Sequence, residues 1–467
     1  MFSRPTIRRL RWALAPAILI ALWLPGLNQG GYRVDTGLYA AVSLHAFRDG
    51  SLFPLMAGEL PYFNKPPLAF WIHGLFLRVL GPELWAARLP SLLAAIAGAV
   101  LVSLIGRRLA GPRVGLVAGV TVFLLGAVWF ASGVVSCGAR GGGALSGIGD
   151  VRPRAWRPWL VLAGLAGVCI GLALMTKPMT GLLAVPILAA WMAWAGLPAR
   201  RVVVFAAVSL VAALLVAGPW HVAMHVRFPD TFLKHYFGKQ SLDRAAGEGF
   251  DAKPAWYYAV LLAQTYWPWL LTTLAATVAL VRGRGVERGG RSAATRLCIV
   301  WILAWAIALS VFAAKMGRYA VVLYPMLALL SALWLMHAAP RPVALARRAV
   351  TRYAAPVLLA VCAGLALLNV RVHAPMAKHW ADLDAFLNAR DPDRALLWTH
   401  PDMLWTAANV YLARGAWPRF IGPSTPAPEG ALILYSDQPG VGAASAGPSA
   451  NETEIWRSSR LFITERN

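Results

Sequence analysis

The chain has 467 residues, of which 58% are hydrophobic and only 14% charged, with a mean hydropathy of +0.58. A soluble domain carries about 25% charged residues, so this composition excludes an ordinary soluble enzyme, a disordered chain and a fibrous protein, and puts the chain in a bilayer. Lys and Arg number 44 against 20 Asp and Glu, a net charge of +24; in a membrane protein that surplus collects in cytoplasmic loops, which is a better reading than a nucleic-acid surface.

Arg4, Arg8, Arg9 and Arg11 precede an apolar run at 12–26. It resembles a signal peptide without a small-residue cleavage motif, and reads as a first transmembrane helix with its N-terminus in the cytoplasm. An outside segment follows over 28–90, with a helical stretch at 68–80 expected at the membrane interface. Further apolar runs lie at 91–106, 114–132, 158–176, 179–197, 202–219, 257–281, 297–313, 319–338 and 354–371. A span needs about 20 residues, fewer when tightly packed, so these runs bring the total to about ten helices. Arg107, Arg108 and Arg113 follow the second run, Arg200 and Arg201 the fifth, Arg282, Arg284, Arg288, Arg291 and Arg296 the seventh, and Arg341, Arg347, Arg348 and Arg352 precede the tenth. All of these clusters should be cytoplasmic.

A second outside segment covers 221–256, and the tail from about 371 is the third. The tail turns polar and Pro-rich, with expected strands at 395–399, 431–435 and 461–464, a helix at 403–413 and a loop at 437–450. The expected organisation is therefore an all-α polytopic membrane domain over 1–371, including the outside segments 28–90 and 221–256, followed by a small α/β domain over 372–467 on the outer face.

Counting crossings exposes an irregularity. From the C-terminal side, Arg152, Arg154 and Arg157 fall inside; from the N-terminal side, Arg107 falls inside and the run 114–132 leads out. The chain must cross back between about 134 and 152, yet 136–150 contains Arg140, several glycines and few apolar side chains. No ordinary span fits there, so one helix is absent or degraded.

The candidates for chemistry lie in the outside segments. Asp35-Thr36-Gly37-Leu38-Tyr39-Ala40 opens the first, and Pro61-Tyr62-Phe63-Asn64-Lys65-Pro66-Pro67 follows. The prolines fix the backbone after Lys65 and restrict Lys65 itself. A lysine held in this way could clamp a lipid phosphate, and Asp35 could take a proton from a hydroxyl or help hold a divalent metal ion; the bland alternative is a pair of interfacial charges. Lys177 sits at the end of a span, where a cavity-facing role and helix-end anchoring are equally good readings. His221 and His225 have the i, i+4 spacing of metal ligands but no third partner, which favours interfacial histidines. Trp256, Trp267 and Trp269 fit an aromatic belt. Of the four cysteines, Cys169, Cys298 and Cys362 are apolar filler and Cys137 lies in a Gly-rich stretch, with no metal or disulfide spacing. No phosphate-binding loop or dinucleotide fingerprint is present, which argues against ATP-driven transport.

Taken in order, several blocks resemble the polyprenyl-phosphate-dependent membrane glycosyltransferases of the GT-C fold, the aminoarabinose transferase (ArnT-like) and protein mannosyltransferase-like families. They are the Asp35 loop, Tyr62-Phe63-Asn64-Lys65-Pro66-Pro67-Leu68, Ala87-Arg88-Leu89-Pro90, Thr176-Lys177-Pro178, the stretch 232–244, Pro254-Ala255-Trp256-Tyr257-Tyr258, Trp267-Pro268-Trp269, Lys315-Met316-Gly317-Arg318-Tyr319 and Leu323-Tyr324-Pro325. The similarity covers most of 12–340. It implies a multi-pass protein of the bacterial inner membrane with its site and its C-terminal domain on the periplasmic face. The implied partners are a polyprenyl-phosphate-linked sugar donor, a lipid, glycan or protein acceptor, and membrane lipids, with no nucleic acid. By the same resemblance Asp35 matches the catalytic acid of the first loop, Lys65 the lysine near the donor phosphate, and Lys315 with Arg318 a basic pair that also binds it. Tyr62, Lys177 and Arg244, each in or beside a shared block, are candidates for further substrate contacts.

The chain departs from the family pattern at defined places. Thr36 and Leu38 stand where Glu and Arg are common, Gln240 and Ser241 where relatives carry Glu-His, and Val135-Ser136-Cys137-Gly138 lacks the acid expected after the third helix. That acid leads into the helix that parity finds missing. The alternatives are thus an active transferase and an impaired homologue or damaged gene product that at most binds lipid or supports assembly. A transporter would need charges within several spans or paired broken helices, a weaker fit.

Overall fold

The computed structural model describes residues 27, 34–131, 156–177, 181–242, 246, 252–267, 269–281, 290–337, 382–383, 385–393, 397–421, 425–436, 448–457 and 461–466. The expected first helix at 12–26, the run at 354–371 and the irregular stretch at 134–155 lie outside them. Packing divides the chain into two compact units, one formed by residues within Met1–Tyr62, Ala69–Pro90 and Val361–Asn467, the other by Phe63–Leu68 and Ser91–Ala360. This grouping differs from a single cut at residue 371: the first outside segment packs with the tail.

The second unit is helical. It contains most of α3 (Leu84–Ala110; α1 and α2 belong to the first unit), then α4 (Pro112–Ala131), α5 (Trp156–Leu174), α6 (Ala184–Trp194), α7 (Ala199–Arg227), α8 (Pro229–Leu233), α9 (Tyr257–Thr265), α10 (Trp269–Val281), α11 (Gly290–Val311) and α12 (Tyr324–His337). Among the described residues, four helices are long and apolar enough to cross a membrane, within α3, α5, α7 and α11. Shorter apolar helices occupy the remaining described runs. α7 runs 29 residues, which is about 44 Å and longer than a hydrocarbon core of about 30 Å. The helix therefore continues to Arg227, where a loop was expected from 221.

Small residues let these helices approach. A side chain on Gly167 of α5 would meet the Ser209 carbonyl and Ala212 of α7, and Ser209 Oγ donates to the Ala163 carbonyl at 2.9 Å. Trp159 of α5 donates its indole N–H to the Arg201 carbonyl and tilts against Phe205. Gly111, at φ 105°, makes the turn between α3 and α4, where the left-handed region favours glycine. Arg107 and Arg108 close the last turn of α3, where cations suit the helix dipole. α12 is buried nearly all round and packs against α4, α10 and α11, so its uniform apolarity reflects a central position.

The run at 257–281 is two helices and not one. The break falls at Tyr266 and Trp267 beside Pro268, which has no N–H to donate. Hydroxyls bridge the joint: Thr265 Oγ1 lies 3.0 Å from the Tyr324 hydroxyl, Thr273 Oγ1 lies 2.8 Å from Ser331 Oγ, and Tyr266 stacks on Tyr324. An interrupted helix at membrane depth needs such partners.

In the first unit, α1 (Val34–Arg48) and α2 (Leu68–Leu80) flank a short hairpin of β1 (Met56–Ala57) and β2 (Leu60–Pro61). The tail supplies β3 (Leu397–Thr399), α13 (Leu404–Arg414), β4 (Arg419–Phe420), β5 (Leu432–Ser436), β6 (Glu452–Arg457) and β7 (Leu461–Arg466). The sheet order is β4-β3-β5-β7-β6, with β3 parallel to both β4 and β5 and the rest antiparallel. The expected helix and three strands are present; β4 and β6 are additional. Leu397, Leu432, Leu434, Leu461 and Ile463 pack with Met403 and Val410, while Trp398, Ile433, Tyr435 and Phe462 form a separate cluster, as alternation along strands requires. α1 joins the tail through a shared core of Leu38, Val42, Ala46, Phe70, Ala408 and Tyr411. Arg48 also donates to the Gly415 carbonyl at 3.1 Å.

Candidate functional site

After α11 the chain runs extended through Met316 and tightens into a single 3₁₀ turn, Gly317–Val322, before α12. Neighbours fix this loop at several points. Ala252 and Ala314 form an antiparallel bridge, and the Lys253 N–H donates to the Ala313 carbonyl at 3.1 Å. The Tyr258 hydroxyl donates to the Met316 carbonyl at 3.2 Å, and the Trp301 indole to the Val322 carbonyl at 2.8 Å.

The loop carries two of the expected phosphate ligands, and the structure treats them differently. The Lys315 ammonium donates to the Lys253 carbonyl at 3.0 Å and to the Phe312 carbonyl at 2.5 Å, and the residue is only 5% exposed. Arg318 is half-buried and donates to Met316 Sδ at 3.0 Å, a weak acceptor for a guanidinium.

Lys177 reaches the same region, and the segment of Lys65 is tied to the helix end before it. Lys177 places its ammonium over the Tyr319 ring, 4.1 Å from the centroid, a close cation–π contact. The Leu68 N–H donates to the Met175 carbonyl at 3.1 Å, which ties the Lys65-Pro66-Pro67 segment to the end of α5, two residues before Lys177. Phe63 packs edge-on against Phe228 and Phe232 and fixes the other side of that segment. Lys65, Lys177, Lys315 and Arg318 are thus linked through a continuous series of backbone and ring contacts within one unit.

The described charged residues of this unit are predominantly basic. Its only acid among the described residues is Asp230, in the first turn of α8; Asp150, Asp243, Glu248, Asp251 and Glu287 lie outside the described residues. The described polar contacts of Lys177, Lys315 and Arg318 above are to a ring, carbonyls and a sulfur. Such a set of cations can bind an anion and stabilise negative charge that grows on a leaving group.

The other expected site residues fall elsewhere. Asp35 is the second residue of α1 and belongs to the other compact unit. Tyr62, in that same unit, is 4% exposed and packs edge-on against Phe70. Arg244 lies outside the described residues. Lys253, Tyr258 and Tyr319 were not singled out as site residues, although each lies in or beside a shared block. Lys253 holds its ammonium 4.7 Å from the Tyr257 ring centroid.

A metal site at His221 and His225 does not form. His221 Nδ1 lies 2.8 Å from the Ala217 carbonyl, which only accepts, so that nitrogen carries the proton; Nε2, 2.7 Å from the Tyr236 hydroxyl, accepts from it. Both ring nitrogens are used. Among the described residues no group of three or more His, Cys, Asp or Glu could hold a metal ion. Trp256 and Trp267 are largely exposed, as an aromatic belt requires.

Comparison with known proteins agrees with this architecture. The family described as dolichyl-phosphate-mannose-protein mannosyltransferase matches residues 64–135. The undecaprenyl phosphate-alpha-4-amino-4-deoxy-L-arabinose arabinosyl transferase of Pseudomonas aeruginosa (strain LESB58) is 31% identical over 268 residues, 54% of this chain and 48% of the relative. The corresponding transferase 1 of Pseudomonas fluorescens (strain Pf0-1) is 29% identical over 297 residues, 56% and 48% of the two chains. The chain thus spans about half the length of these curated relatives. Over nearly the whole chain it superposes on ArnT from Cupriavidus metallidurans in the apo state, with TM-score 0.75, 17% identity and 98% of each chain covered. The same protein bound to undecaprenyl phosphate gives TM-score 0.70 at 17% identity, with 97% of each covered. The chain has the ArnT-like GT-C fold, and its sequence resemblance is to ArnT-like and protein mannosyltransferase-like proteins.

Proposed function

We propose that the protein is a membrane glycosyltransferase that moves a sugar from a polyprenyl-phosphate-linked donor to a lipid, glycan or protein acceptor at the periplasmic face of the bacterial inner membrane. The observation that carries this reading is the linked set of Lys65, Lys177 and Arg318 in a unit whose described residues include a single acid. A lipid-linked phosphate is an anion delivered along the membrane, and it becomes the leaving group.

In the transfer, the bond between the sugar's anomeric carbon and the phosphate oxygen breaks, and the phosphate keeps the electron pair. The acceptor oxygen bonds to that carbon and gives up its proton. Lys65, Lys177 and Arg318 stabilise the charge growing on the phosphate. Asp35 takes the acceptor proton, with Tyr62 and Arg244 as additional substrate contacts. The names of the relatives make an undecaprenyl-phosphate-linked aminoarabinose the first donor to test.

The test is donor-dependent transfer in membranes containing the full chain. Asp35→Asn should cut transfer by about 100-fold or more with unchanged protein level. Unchanged transfer removes Asp35 from the chemistry. A second reading, an impaired homologue, rests on the stretch 134–157, which lacks both an apolar span and the expected acid. Absence of transfer by the wild-type chain with every polyprenyl-phosphate donor tried would favour it.

A further inference from the structure

We infer that Lys315 is a positioning residue: its buried ammonium staples the segment 252–254 onto the loop that carries Arg318 and Tyr319, and so sets the cations Arg318 and Lys253 that act on the donor phosphate. This rests on the phosphate reading above but gives Lys315 a different role, and it adds Lys253 to the binding set.

The argument begins with the acceptors. A lysine has three N–H bonds to give, and Lys315 gives two, one to a carbonyl on each of two separate segments: Lys253 on one, Phe312 on the other. At 5% exposure it has little access to anything else. An ammonium taken out of water must have its hydration replaced, and these carbonyls replace it. The contact is structural in the strict sense, since it cross-links two chain segments.

The same place holds the other ties between those segments, the Ala252–Ala314 bridge and the Lys253 N–H to the Ala313 carbonyl. Without the ammonium, the Lys253 and Phe312 carbonyls lose its hydrogen bonds, and the junction of 252–254 with 313–315 rests on its backbone contacts. The loop downstream is entered through that junction and is held further on by Tyr258 at the Met316 carbonyl and Trp301 at the Val322 carbonyl. Arg318 and Tyr319 follow within four residues, and Tyr319 carries the Lys177 ammonium on its face. On the other segment, Lys253 is pinned by its own N–H and its own carbonyl, which leaves its side chain with the Tyr257 ring. An ammonium resting on a ring keeps its donors for an anion.

The experiment uses a disulfide to replace the staple. Antiparallel bridge partners have Cα atoms about 4.5–5.5 Å apart, within the range a disulfide spans. Ala252→Cys with Ala314→Cys is therefore combined with Lys315→Met in the full chain, with the four native cysteines replaced by Ala. Binding of undecaprenyl phosphate in detergent is measured beside donor-dependent transfer. Lys315→Met should weaken binding and lower kcat/KM by about 30-fold, Lys315→Arg should recover part of the loss, and the formed disulfide should restore Lys315→Met to within about threefold of wild type. Lys253→Met should weaken binding about tenfold without altering the disulfide yield.

A formed disulfide that fails to restore binding overturns the inference and makes Lys315 a direct ligand of the phosphate. Full binding by Lys315→Met without the disulfide also overturns it. Disulfide yield in intact membranes keeps the staple testable without purified protein: it should be lower in Lys315→Met than with Lys315 present, and equal yields overturn the staple. If the wild-type chain binds no undecaprenyl phosphate, the phosphate reading fails, while the disulfide yield still decides whether Lys315 holds the two segments together.

Discussion

The described Arg–Glu ion pairs fall in the C-terminal domain, while the loop after α11 carries cations whose described contacts are of another kind. In the C-terminal domain Arg390 meets Glu465 at 2.8 Å and Arg457 meets Glu454, beside Arg419 over the Trp398 ring and Arg466 on the Ala427 carbonyl, and Glu452 accepts from the hydroxyls of Tyr435, Thr464 and Ser449. In the loop after α11, Lys315 is answered by carbonyls, Arg318 by a sulfur and Lys177 by a ring. The ion pairs of the first arrangement neutralise their cations. The described contacts of the second leave the cations their charge, which suits them to an anionic ligand. The difference says where a charge change should alter chemistry and where it should alter only stability.

Among these cations, the largest effect should come from Arg318. Arg318→Gln keeps a hydrogen-bonding amide but removes the charge, and should reduce kcat/KM for a polyprenyl-phosphate-linked donor by about 100-fold, in the range found for losing one group that stabilises a leaving anion. Transfer by the variant at the wild-type rate would mean that the charge of Arg318 is not used on the donor.

Much of the fold was legible in the sequence, but the contacts behind this contrast were not. The apolar runs in the described residues all form helices because a bilayer admits little else. β3, β5 and β7 were legible because Leu397, Leu432, Leu434, Leu461 and Ile463 sit in short apolar runs bounded by polar residues. β6 was not, because Glu452-Thr453-Glu454-Ile455-Trp456-Arg457 is a polar edge strand, and β4 has only two residues. The break before Trp269 was signalled by Pro268, yet the apolar run on both sides concealed it. For the site, spacing and resemblance single out Lys65, Lys177, Lys315 and Arg318 as candidates. They could not find that Lys315 gives its protons to Lys253 and Phe312, since acceptors 62 and 3 residues away leave no local pattern.

On the sheet side of the comparison, Glu452 should control acid stability. Burial opposes its charge, but the hydrogen bonds from Thr464, Ser449 and Tyr435 outweigh that and hold its carboxyl below the usual range. A carboxyl depressed in the folded state stabilises above its unfolded value, and that contribution disappears as pH falls through the folded value. The protection of amides over β5–β7 in the full chain, taken relative to intrinsic exchange at each pH, should therefore fall in acid for the wild type. Glu452→Gln should be destabilised at neutral pH by about 1–2 kcal/mol, from weakened hydrogen bonds, and should lose part of that acid dependence. Its donor affinity should match wild type; a changed affinity would mean that the sheet's charges also act on the substrate.

The smallest effect should come from the Arg390–Glu465 pair. Arg390 is 53% exposed by its side chain, and Glu465 is 32% exposed. Water and salt screen such a pair, and holding two long side chains in one geometry costs entropy, so Arg390→Ala should change stability by less than about 0.5 kcal/mol. The check is amide exchange over β7 together with the donor-transfer rate, both at low and at physiological salt. A loss of transfer larger than the loss of stability would break the division drawn here, because it would make an exposed, already neutralised cation of the sheet matter to an anionic substrate. Equal rates with wild type, set beside a large Arg318→Gln defect, would show that the effect of removing a positive charge depends on what already answers it and not on the charge alone.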